Sequence, residues 1–215
     1  LDKVRKLLRE KEKVYIGLAP SFAAEFDKVK PEQLIAAFRK LGFAGVSEVA
    51  LGAQQVSAHV ARQLTLQKGK LVISSACPPV VDLITRYMPS FTPAVTNLLS
   101  PMLTHCKLLK KKFGSEIGIV FVGPCIAKKR EADSHPHLLD AVLTYGDVRR
   151  WFAMENIDPD SLEISQQDVF VPEKAEEGAL YPIDGGMSVT VKANCTVHDS
   201  SFMTFSGLAN IQKAL

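Results

Sequence analysis

The run IGIVFV at residues 117–122 contains no polar side chain. A strand with one face in water alternates apolar and polar residues. A continuous apolar run of this length is buried on both faces, as in a parallel sheet covered by helices. VYIGLA (14–19), GVSEVA (45–50), LVISS (71–75), AVLT (141–144) and FMTFS (202–206) also read as strands. Helical patterns fill the intervals. LDKVRKLLREKEK is a charged amphipathic lead-in; Leu34, Ile35, Phe38 and Leu41 form one apolar face between Pro31 and Gly42. Residues 51–67, 80–88 and Pro101–Phe113, a stretch through Trp151, and the closing GLANIQKAL also read as helices. Lys68, Gly69 and Lys70 form a turn, and the acidic, polar stretch 155–180 reads as loop. This alternation of strand and helix predicts an α/β fold with mainly parallel strands.

Composition narrows the possible roles. With 215 residues, 47% of them hydrophobic, the chain can form one large domain or two small lobes. A net charge of +3 points to neither nucleic acid nor an anionic membrane, and KLLKKKFG (107–114) reads as a solvated helix face. No apolar run approaches the about 20 residues of a membrane span, and no signal peptide is visible. Cys77, Cys106, Cys125 and Cys195 lie far apart without a C-x-x-C, which argues against a secreted disulfide framework and for a cytoplasmic setting. A start at Leu1 and a last helix that has barely begun suggest a piece of a longer protein.

In parallel sheets, ligands gather beyond the carboxyl ends of the strands. Pro20–Ser21, Ala76–Cys77–Pro78 and Gly123–Pro124–Cys125 fall at such ends. Proline stops the ladder and lets the neighbouring thiol face a cleft. Lys128 and Lys129 follow Cys125 closely. Read alone, the two thiols could be small buried hydrophobes, ligands of a soft metal or an iron–sulfur cluster, or nucleophiles.

The motifs around them resemble those of one family. SSACPPVVDLITRYMPSFTPAVTNLLSPM, with Tyr87–Met88–Pro89 and Ser100–Pro101 in register, resembles the first signature of the [FeFe]-hydrogenase catalytic domain. GPCIAKKREAD is similar to its second signature, and DAVLTYGDV to the segment after it. LAPSFAAEF, RKLGF, DGGM and GLANIQKAL match other family stretches, so the resemblance spans nearly all of residues 1–215. It implies an H-cluster in the full-length protein: a [4Fe–4S] cluster bridged to a two-iron centre carrying CO and cyanide. Cys77 and Cys125 would be cluster ligands, and Lys128 would hydrogen-bond a cyanide. Ala19, Pro20 and Ser21 would line the two-iron centre together with Ala76 and Gly123, and Glu131 would lie on the proton path. The fold implied is two lobes of mainly parallel sheet flanked by helices, not separable as contiguous segments, with the cluster cleft between them. The partners implied are H2 or protons and an electron-transfer iron–sulfur domain.

The departures from the family point away from fast catalysis. Catalytic members carry a proton-relaying cysteine where this chain has Ala76, and alanine holds no titratable proton. The methionine of the second signature is Gly123, and paired glutamates give way to AQQVSAHV, with His59 nearby as a partly solvated helix residue. The family's third signature supplies two further cysteines, and its absence here implies that this stretch alone holds no complete cluster. Together these features suggest a sensory or regulatory member, with signalling domains in the same parent chain. Rival expectations are a true hydrogenase with an altered proton route and a non-catalytic iron–sulfur or protein-interaction scaffold. Cys106 and Cys195 are expected in core or loop, His135 and His137 in an exposed loop, and Lys129 toward solvent.

Overall fold

A computed structural model of the chain describes residues 1–67, 69–194 and 202–214. In chain order the helices and strands are α1 (Asp2–Glu10), β1 (Val14–Leu18), α2 (Phe22–Glu25), α3 (Pro31–Lys40), β2 (Gly45–Glu48), α4 (Ala50–Leu66), α5 (Pro78–Tyr87), α6 (Pro101–Phe113), β3 (Gly118–Val122), α7 (Ala127–Asp133), β4 (Ala141–Leu143), α8 (Tyr145–Met154), α9 (Gly186–Ala193) and α10 (Leu208–Ala214). They fall into two compact units, one of residues 1–49 and 105–175, the other of residues 50–104 and 176–215.

The first unit holds a four-stranded, all-parallel sheet in the order β2-β1-β3-β4. Every residue of β1, β2 and β3 is buried, as the apolar run of β3 requires. On one face α6 packs closely: the Tyr15 ring stacks on Phe113 with centroids 4.5 Å apart. Gly17 leaves room for the imidazole of His105, whose Nδ1 would lie only 3.3 Å from a Cβ added there. Gly118 likewise lets Leu7 of α1 approach β3. α8 opens with a capping box, in which the Thr144 hydroxyl accepts from the Asp147 N–H and the Asp147 carboxylate accepts from the Thr144 N–H. That hydrogen bond from the Thr144 backbone is the main influence holding the Asp147 carboxyl well below the usual carboxylate range. The edge of β2 is covered by the 165–175 segment, with Val171 N–H donating to Val46 O and Ala175 N–H to the Glu48 carboxylate.

The second unit is helical among its described residues. Its apolar centre is Val56, Val60, Ala61 and Val191, from α4 and α9. A buried hydroxyl cluster of Ser57, Thr190 and Tyr181 ties these helices to the turn at Glu177–Leu180. Gly178 permits a close approach, because a Cβ there would collide with the Ala50 carbonyl.

Two expected strands are not formed, so no second sheet appears among the described residues. LVISS contributes one parallel bridge, Ile73 with Val95. Its serines are engaged otherwise: the Ser75 N–H donates to Thr96 Oγ1, and its hydroxyl donates to the Leu98 carbonyl. FMTFS has no partner strand among the described residues, and Met203 and Phe205 are exposed. Apolar pattern alone does not make a strand without a neighbour to complete its ladder.

Candidate functional site

The strand order itself marks a position in the first unit. From β1 the chain moves to one side, to β2, and then crosses to β3 and β4 on the other side of β1. The carboxyl ends of β1 and β3 therefore flank the topological switch point, the usual ligand crevice of an open parallel sheet. Ala19–Pro20–Ser21 leaves β1 there and Gly123–Pro124–Cys125 leaves β3.

These two loops touch. The Ala19 N–H donates to Val122 O at 2.8 Å, and a Cβ placed on Gly123 would sit 2.8 Å from the Ala19 Cβ. The same imaginary Cβ would lie 2.7 Å from the tip of the Phe121 ring, which leans along β3 over the bare glycine. Cys125 is exposed and lies at the start of the turn into α7. On α7, Lys128 Nζ and Glu131 Oε2 form a 2.7 Å ion pair, with side chains 13% and 8% exposed. Lys129 points out toward Asp147. Seven of the nine expected site residues (Ala19, Pro20, Ser21, Gly123, Cys125, Lys128 and Glu131) thus belong to the loops and helix at one end of one sheet.

Ala76 and Cys77 belong to the second unit. Cys77 is an exposed thiol at the N-cap of α5, in extended conformation, with Pro78 and Pro79 opening the helix. The adjacent helix end favours negative charge. Ala76 is half-buried, and its N–H donates to the Ser74 hydroxyl. His59 is exposed, with Nδ1 against the Gln55 carbonyl at 2.7 Å.

Of the remaining cysteines, Cys106 is a buried core residue whose thiol burial pushes up to about 12, and Cys195 lies outside the described residues. His137 is exposed, while His135 is half-buried with Nδ1 toward the Glu131 carbonyl.

Three groups at or near the sheet escaped the sequence reading. Tyr145, the first residue of α8, is buried, and burial pushes its phenol up to about 12. Its hydroxyl donates to the Ala19 carbonyl at 3.2 Å and lies 2.8 Å from Ser21 Oγ, so it pins the loop that leaves β1. The available signal was its place directly after a strand, inside a T-x-x-D capping box. Glu48 ends β2 almost fully buried; desolvation raises its carboxyl, and one oxygen accepts from the Ala175 N–H. His105 is wholly buried with Nε2 2.8 Å from Ser47 Oγ, and its Nδ1 has no hydrogen-bond partner among the described residues.

The donor chemistry suits a thiolate-bound cluster in kind but not in number. Two exposed thiols are half the set that a cuboidal four-iron cluster takes. Among the described residues no three His, Cys, Asp or Glu side chains are grouped to hold a metal ion. No helix among them is long and apolar enough to cross a membrane.

A four-stranded parallel sheet with helices around it and a thiol-bearing loop at its switch point defines an α/β domain, and the comparisons give it a family. The model of the iron only hydrogenase large subunit, C-terminal domain, matches residues 12–215, and the chain belongs to that family. Iron hydrogenase 1 of Clostridium pasteurianum is 25% identical over 248 residues, covering all of this chain and 43% of that protein. The cytosolic Fe-S cluster assembly factor NAR1 homolog of Schizosaccharomyces japonicus is 29% identical over 119 residues, 47% of this chain and 23% of its own length. Apo [FeFe]-hydrogenase HydA1 from Chlamydomonas reinhardtii, in a variant form, shares the fold with a TM-score of 0.65 at 22% identity, over 89% of this chain and 58% of that one. The chain therefore spans less than half the length of these curated relatives.

Proposed function

We propose that the chain is an H-cluster-binding domain of [FeFe]-hydrogenase type, in which Cys77 and Cys125 each give a thiolate to a [4Fe–4S] cluster in the full-length protein. The observation that carries this reading is the switch point, where Cys125, the Lys128–Glu131 pair and the Ala19–Ser21 loop gather at the carboxyl ends of β1 and β3. A cluster held there would supply electron storage beside the reacting centre. Lys128 offers an ammonium with donors to spare beyond Glu131 for an anionic ligand, and Ser21 offers a hydroxyl held by Tyr145. Ala19, Pro20 and Gly123 shape the apolar wall.

The role we assign is H2 or redox sensing in a cytoplasmic signalling protein, with proton reduction and H2 oxidation slow or absent. Ala76 offers no proton relay, and the exposed His59 is bonded within its own helix. Electrons would come from an iron–sulfur domain, and the signal would pass to further domains of the parent protein. Infrared spectra and H2 evolution rates of the matured full-length protein test this. CO and cyanide bands with turnover far below that of an Ala76→Cys variant support sensing; rapid turnover by the unaltered protein rejects it.

A second reading rests on the similarity to the cluster assembly factor. It makes the domain a non-catalytic iron–sulfur scaffold, which would show a four-iron cluster but no CO or cyanide bands.

A further inference from the structure

We infer that a groove of about 510 Å³ in the first unit, lined by residues of α1, α3 and α8, is a binding site for an organic monoanion with an apolar body. It lies away from the candidate site. α1 and α3 end where the chain enters β1 and β2, so the groove sits toward the amino ends of the strands, whereas Cys125 follows the carboxyl end of β3. α1 also precedes residues 12–215, the stretch that the family model matches.

The groove has a mixed lining, with apolar patches among polar groups, and a cationic rim. Leu8, Leu41 and Ile157 supply most of the apolar patches, with a small part from the largely buried Trp151. Arg5 lies over the Trp151 ring, 5.8 Å from its centroid, and pairs with Glu155 at 2.7 Å. The Trp151 indole N–H donates to the same carboxylate at 3.3 Å. Glu155, the only acidic lining residue, is thus already neutralised. Arg9 and Lys40 have no hydrogen-bond or ion-pair partner among the described residues.

The charge balance limits the ligand. The carboxyl ends of α1, α3 and α8 add partial negative charge to the lining. Several of their last carbonyls already accept local N–H groups: Ala37 O from Leu41, Phe38 O from Phe43 and Phe152 O from Ile157. Two unpaired cations against three partly satisfied helix ends leave room for at most about one negative charge. A dianionic phosphate would exceed that, and a neutral ligand would leave both cations unused. The volume falls within the range of small-molecule pockets.

Trp151 is the sole tryptophan of the chain, so its fluorescence reports on the groove directly. The experiment titrates the protein with 4-phenylbutyrate and, separately, with neutral 4-phenylbutanol. The unaltered protein should give a saturable, one-to-one response to the acid. Binding should weaken about fivefold or more for the alcohol, and likewise in an Arg9→Glu/Lys40→Glu variant, as expected for losing two exposed charge contacts. Both substituted residues are exposed, so circular dichroism should be unchanged. No saturable response into the millimolar range overturns the inference. Equal binding of acid and alcohol, or no effect of the charge reversal, also overturns it. None of these outcomes depends on cluster binding, so this site and the proposed function stand or fall separately.

Discussion

Lys128 and Glu131, one turn apart on α7, form a 2.7 Å ion pair at the carboxyl end of the sheet. Both side chains are largely withdrawn from water, so neither charge is well solvated without the other. Removing one partner strands the other, and the loss then exceeds what the pair contributes net. Glu131→Gln should cost about 1–3 kcal/mol, and Lys128→Met/Glu131→Gln should cost clearly less than the two single changes together. Urea denaturation of the full double-mutant cycle measures this. Additive losses would mean the pair is solvated and contributes little.

Gly123 and Phe121 make a steric prediction. A methyl group at position 123 would meet the Phe121 ring at 2.7 Å and Ala19 at 2.8 Å, inside any real contact distance. Gly123→Ala should therefore destabilise by about 1–3 kcal/mol through overpacking. Trimming the ring in Phe121→Leu should recover part of that loss. Thermal unfolding of the three variants tests the coupling, and an unaltered midpoint for Gly123→Ala would show that the ring moves aside freely.

The buried His105 makes stability depend on pH. Burial lowers its imidazole from 6.5 to about 3 in the folded chain. Between those values the unfolded chain binds a proton that the folded chain refuses, so stability rises with pH across the window. On acidification it should fall from about pH 6.5 down to about pH 3. His105→Met should flatten that slope without abolishing the fold. The chain has 5 histidines, so the readout is the difference in urea midpoint between variant and parent at pH 7 and pH 4.5. Parallel slopes would assign the acid sensitivity elsewhere.

Tyr145→Phe keeps the ring that meets Phe26 edge-on at 5.6 Å and removes only the hydroxyl. Losing its contacts with Ala19 and Ser21 should cost about 0.5–1.5 kcal/mol. It should also speed amide exchange in the loop after β1 while leaving β4 protected. Exchange unchanged at Ser21 and Phe22 would mean that the loop is held without the phenol.

Much of this arrangement was legible in the sequence where local physics decides it. The strand reading of VYIGLA placed β1, the continuous apolar run IGIVFV placed β3, and Pro31 and Gly42 bounded α3 closely. Pro20 and Pro124–Cys125 marked the loops that leave β1 and β3, whereas Cys77 follows no strand. What failed was pattern without partner: LVISS and FMTFS carry strand-like residues, but hydroxyl bonding at Ser75 and the lack of a neighbour at 202–206 leave them outside any ladder. Tyr145, Glu48 and His105 were missed because their roles come from contacts across more than a hundred residues or from burial, as with Tyr145 and Ala19. The Lys128–Glu131 pair was half legible: both residues were singled out, but not that they bind each other.

Cys77 and Cys125 are proposed to ligate one iron–sulfur cluster. Iron and acid-labile sulfide content after anaerobic reconstitution of the full-length protein tests this ligation most directly, with Cys77→Ala and Cys125→Ala beside it. Each variant should hold about four irons and four sulfides fewer per chain than the parent protein. A parent protein without iron, or a cluster retained in full by both variants, would contradict the ligation.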